Sequence, residues 1–104
     1  MKLSELTEFD LVVCKTPEEI VAFEKFLHLS GKTWCNGQSY IEDSVLNTEE
    51  YKTDSRYKEA IAYVPRTGSY SFEKFYGSIY RRIPFSSMEL DDDEYFSIKV
   101  IEDI

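Results

Sequence analysis

The sequence predicts an α+β domain: a mostly antiparallel sheet of four to five strands with one main helix, about residues 17–29, packed on one face. Three observations carry this. Residues 16–31 hold helix start and stop signals around an apolar stripe. Several other segments are short, β-branched or aromatic, and bounded by turn residues. At 104 residues the chain has the length of one domain, 1–104, and no internal linker or repeat divides it.

Residues 1–8 are polar apart from Met1, Leu3 and Leu6 and read as a turn or arm. Residues 9–15, Phe-Asp-Leu-Val-Val-Cys-Lys, read as a buried strand. Thr16-Pro17-Glu18-Glu19 then starts the helix. Thr16 can cap, Pro17 suits the first helical position, and Glu19 completes a capping box. Ile20, Phe23 and Leu27 share a face widened by Phe26, and Glu18, Glu24 and Lys25 are expected on the wet side. Ser30-Gly31 ends the helix, because glycine takes the left-handed position beyond it without steric cost.

Gly31-Lys-Thr-Trp34-Cys-Asn-Gly37 is the joint between this helical half and a strand-rich, tyrosine-rich half. Residues 32–35 read as extended, Asn36-Gly37 as a tight turn, and residues 39–41 as the return strand. Residues 42–56, with five acids, read as an irregular loop. Residues 57–64 carry both helix and strand signals, and the stop at Pro65 favours a strand. Pro65-Arg-Thr-Gly68 is turn chemistry leading into a strand over 69–75. A third strand is expected over 79–85, with Ile79, Ile83 and Phe85 on one side and Pro84 placing it at an edge. Alternation of Phe96, Ile98 and Val100 predicts a last strand.

Composition narrows the function. A net charge of −8 disfavours direct binding to nucleic acid or to an anionic membrane. Two cysteines are too few for a secreted disulfide scaffold. The first residues lack the apolar run of a signal peptide, and nothing approaches a membrane span, so a cytoplasmic protein is expected. A metal site is not expected, since one His and two widely spaced Cys give no zinc pattern, and no motif calls for a cofactor. His28 falls in the last helical turn, where it can bond terminal carbonyls. Cys14 lies in a buried strand. Cys35 is more open but has no base near it in sequence. No catalytic set emerges, and the expectation is a protein without enzymatic activity.

Charge is unevenly distributed. Residues 57–85 hold Lys58, Arg66, Lys74, Arg81 and Arg82 against Glu59 and Glu73, whereas residues 86–104 carry seven acids against Lys99. Tyr80, Arg81 and Arg82, with Trp34, are candidates for stacking on and pairing with a ligand. The competing explanation is that the arginines pair with the acidic tail of the same molecule. Glu42, Asp43, Glu49, Glu50, Asp91, Asp92, Asp93 and Glu94 form the candidate acidic surface, which could occupy the basic groove of a partner as DNA does. Ordinary solubility charge explains the same residues.

A helix closing on Gly31, then Trp34, Gly37, a tyrosine-rich middle and Ile83-x-Phe85 resembles the small accessory proteins of tailed bacteriophages over about residues 20–90. That resemblance implies a small protein of the infected bacterial cytoplasm that binds and inhibits a host protein, some such proteins being DNA mimics. The expected partner is a host protein with a basic surface, in a defence or nucleic-acid-handling complex. Two alternatives stay open: a protein sequestering a nucleotide signal through the Tyr/Arg patch, and an antitoxin or immunity-type inhibitor of a basic nuclease. The aromatic content also allows a homodimer.

Overall fold

The structure is a computed structural model that describes residues 1–53 and 60–89. It has one main helix and a four-stranded, mostly antiparallel open sheet. The strands are β1 (Asp10–Cys14), β2 (Ile61–Val64), β3 (Ser69–Phe72) and β4 (Arg81–Pro84), in the order β3-β2-β1-β4. Helix α1 spans Pro17–Leu29, and a short helix α2 spans Glu49–Thr53.

β1 is buried along its whole length, being paired on both sides and covered on both faces. It runs antiparallel to β2, with Val12 opposite Tyr63, and parallel to β4, with Asp10 opposite Arg81. The pleat sends Val12, Cys14, Ile61, Tyr63, Phe72 and Ile83 to the face covered by α1. Leu11, Val13, Ala62 and Val64 turn to the opposite face, where Tyr76 and Tyr80 lie against them. Pro84 stands in β4, an outer strand of this sheet, where its missing N–H leaves no gap in a central ladder.

The ends of α1 follow from its sequence. Thr16 Oγ1 accepts from the Glu19 N–H at 3.1 Å. The Glu19 carboxylate reaches back one residue further than in the usual capping box, to the Lys15 N–H at 2.7 Å. At the other end Gly31 has φ of 82°. The N–H groups of Gly31 and Lys32 close onto the carbonyls of His28 and Leu27, the paired bonds of a Schellman stop.

Several expectations are corrected. Glu24 is not on the wet side of α1 but is 2 % exposed. The joint does not form a hairpin. Its turn closes between the Trp34 carbonyl and the Gly37 N–H, and no strand follows over 39–41. The Cys35 N–H is used instead by the Gly68 carbonyl, so the segment is tied across to the β2–β3 turn. Residues 42–53 are not wholly irregular: a 3-10 turn at Val45–Asn47 precedes α2. The strand expected over 69–75 ends at Phe72 and passes into a 3-10 turn. The one expected over 79–85 shrinks to β4, leaving Ile79 73 % exposed. The strand at 96–100 lies outside the described residues, as do residues 54–59.

Gly68 is the tightest backbone position. Its φ is +74°, and a Cβ there would stand 2.6 Å from the Cys35 nitrogen and 2.9 Å from the Thr33 oxygen. Both the dihedral and the space require glycine. Gly77, by contrast, has open surroundings. Gly68→Ala should therefore cost about 2–4 kcal/mol in urea unfolding, and Gly77→Ala less than about 1 kcal/mol. Equal midpoints for the two variants would refute the close approach.

Candidate functional site

A buried polar construction that ties three segments together is built on Glu24. Its carboxylate accepts hydrogen bonds from the Ser44 hydroxyl, from the Val45 N–H at 3.1 Å and from the Tyr63 hydroxyl at 2.7 Å. One side chain thus joins α1, the segment after the joint, and β2. Burial raises the Glu24 carboxyl above its ordinary range, against the lowering effect of its three donors. Burial, reinforced by the Glu24 charge, pushes the Tyr63 hydroxyl well up, so it stays protonated and donates.

Beside this carboxylate sits an aromatic cluster. Trp34 is 7 % exposed, with its ring 4.2 Å from Tyr40, 5.2 Å from Tyr70 and 6.0 Å from Tyr63. The Trp34 Nε1–H donates to the Asp43 carbonyl at 2.9 Å. Trp34 is therefore a core residue, not the open ligand platform considered from sequence. Tyr40 is fully buried, and its hydroxyl has no hydrogen-bond partner among the described residues. Burial, with the charges of Glu24 and Cys35, pushes its pKa up to about 12.

This interior fixes a tip at the surface. Ser39 Oγ accepts from the N–H groups of Ile41 and Glu42, and the Asp43 N–H donates to the Ser39 carbonyl at 2.9 Å. With the indole bond to Asp43, the backbone of residues 39–43 is fastened at both ends. Ile41, Glu42 and Asp43 point outward, Ile41 being 45 % exposed. Neither Glu42 nor Asp43 forms an ion pair among the described residues. Glu49 opens α2 and is also exposed. Glu50 is the second residue of that helix, and Asp91, Asp92, Asp93 and Glu94 lie outside the described residues.

The Tyr80-Arg81-Arg82 candidates do not form one patch: the two arginines turn to opposite faces of the sheet, and each bonds within the molecule. Arg81 forks onto Asp10 through Nε at 2.8 Å and Nη2 at 3.1 Å. That bond is the main reason the Asp10 carboxyl is held below its usual value. The Arg82 Nε donates to the Glu73 carboxylate. Its terminal nitrogens donate to the carbonyls of Gly77, Tyr80, Glu73 and Tyr76. All five guanidinium N–H groups are thereby occupied. Arg82 is the fastener of the 73–80 segment. Among the described residues the two arginines pair with Asp10 and Glu73, and the acidic tail from residue 90 lies outside the described residues.

The remaining reactive groups do not converge. His28 Nδ1 lies 3.3 Å from Ser39 Oγ, whose oxygen already serves two backbone donors of the turn. Cys14 is buried and its thiol is pushed well up by burial, whereas Cys35 is exposed. Among the described residues no group of three or more His, Cys, Asp or Glu could hold a metal ion. No helix among them is long and apolar enough to cross a membrane. Comparison with protein-family models, curated proteins and solved structures returns no match.

Sequence reasoning missed Glu24, although the signal was present. Glu24 stands four residues after Ile20 and three before Leu27, inside the apolar stripe. A charged residue at that spacing marks a buried, partnered carboxylate.

The sign of its pH effect follows. A carboxyl raised in the folded state gives stability that is full below its unfolded value and is lost as pH rises through its folded value. Glu24→Gln retains an acceptor for Tyr63 and Val45 and an amide for Ser44. Its stability relative to the parent should therefore improve as pH rises from about 4 to 7. Glu24→Ala leaves buried donors unpaired and should cost about 3–5 kcal/mol at neutral pH. A Gln variant that falls further behind the parent with rising pH would contradict the buried-charge account.

Proposed function

We propose that this protein is a non-enzymatic binding protein that inhibits a protein carrying a basic surface. The carrying observation is the Ile41-Glu42-Asp43 tip. Its backbone is held by hydrogen bonds donated to Ser39 and by one accepted from the Trp34 indole, while its apolar and acidic side chains face solvent. A tip ordered before contact loses little conformational entropy on binding, so its charges are available for recognition. Unpaired carboxylates of this kind steer and orient a cationic partner. Glu49 extends the acidic surface, and Glu50 with Asp91, Asp92, Asp93 and Glu94 supplies further carboxylates in sequence.

The resemblance to phage accessory proteins implies a bacterial protein as partner, and the carboxylates favour one that handles nucleic acid. An array of acids can displace DNA from a basic groove by releasing the same counterions. Nucleotide sequestration by Tyr80, Arg81 and Arg82 is the weaker reading, because the Arg82 donors are all used within the molecule and the Arg81 charge is already offset by Asp10.

The immobilised protein should capture a specific partner from bacterial lysate at physiological salt. The triple variant Glu42→Gln, Asp43→Asn, Glu49→Gln should lower its affinity about tenfold or more and flatten the salt dependence. Capture unaffected by the triple substitution would remove the tip from the interface. Failure to retain any specific partner would count against the inhibitor reading as a whole.

A further inference from the structure

We infer that a groove sharing no residue with the acidic tip is a binding site for a small carboxylate with an apolar body. The groove lies between the N-terminal segment, the end of α1 and the β2–β3 turn, and has a volume of about 280 Å³. That is close to the lower limit of small-molecule pockets, about 300 Å³. Leu6 and Phe26 are buried at its floor, with Leu3 and Pro65 beside them. Lys2, Lys32 and Arg66 stand around it with Glu89.

The chemistry of the rim selects the ligand. In a chain of net charge −8, three cations meet at one apolar groove. Neither the Arg66 guanidinium nor the Lys32 ammonium has a partner among the described residues. Arg66 offers the planar fork that matches a carboxylate, and Lys32 adds a point charge. Glu89 on the same rim opposes additional negative charge, which favours a monoanion over a polyphosphate. The floor can accept an alkyl or aryl body.

The walls are set before any ligand arrives. The Lys32 N–H is bonded to Leu27 at 2.9 Å and the Gly68 N–H to Val64 at 2.9 Å. The N-terminal ammonium donates to the Ser87 carbonyl at 2.8 Å. Binding therefore requires no folding of the groove, and its cost is confined to ordering the cationic side chains.

Sodium octanoate is the probe, added to the full chain and followed by calorimetry and by backbone amide shifts. One site should saturate, with shifts at Leu6, Lys32 and Arg66. Octanol should bind at least about tenfold more weakly, and inorganic phosphate alone should not compete. Arg66→Gln and Lys32→Gln, both at exposed positions, should each weaken octanoate about threefold to tenfold. Lys15→Gln with Lys52→Gln, on another surface, should leave it unchanged. No saturation, equal binding of octanol, shifts confined to other surfaces, or phosphate competing equally would each overturn the site. Those results would leave the acidic-tip reading standing, since that rests on lysate capture and on different residues.

Discussion

A carboxylate inside the fold governs the arrangement of the rest. Glu24 could not be carried into the interior without donors to replace water, and two segments supply three of them: Ser44 and Val45 from the loop and Tyr63 from the sheet. The demand runs both ways. The loop has few apolar residues of its own to anchor it, and Val45 is buried where the carboxylate holds its N–H. Removing the charge would therefore alter where the loop lies as well as how firmly. The position of the surface tip is in this sense an outcome of a buried ionisable group.

The uneven charge of the sequence is also resolved internally. Asp10 and Arg81 sit opposite one another on parallel strands and join into a fork. Arg82, one residue later, points to the other face of the sheet and gathers four carbonyls and a carboxylate. Adjacent arginines thus do different work because the pleat alternates. The first pins a strand to its neighbour. The second holds a segment that has little regular structure over the apolar residues Leu11, Val13, Ala62 and Val64.

Local physics made much of the fold legible. The bounds of α1 follow from Thr16, Pro17 and Gly31, and β1 from its β-branched run, because these signals act within a few residues. The β2–β3 turn followed from Pro65 and Gly68 for the same reason. What was not legible depends on distant partners. The hairpin expected at Asn36-Gly37 fails because the Cys35 N–H is taken by Gly68, some thirty residues on. The parallel pairing of β1 with β4 also depends on tertiary placement. Trp34 reads as a surface aromatic until Tyr40 and Asp43 are seen to enclose it. At the candidate site, the acids were visible as composition, whereas the hydrogen bonds that display Glu42 and Asp43 were not.

The enclosure of Trp34 also gives the molecule an optical property. It is the sole indole of the chain, packed among tyrosines and bonded through its nitrogen to the base of the acidic tip. Any force that lifts the tip must first break that bond and admit water to the ring. Emission from a single chromophore therefore registers the state of residues 39–43 directly, with no label attached and no competing signal from a second tryptophan.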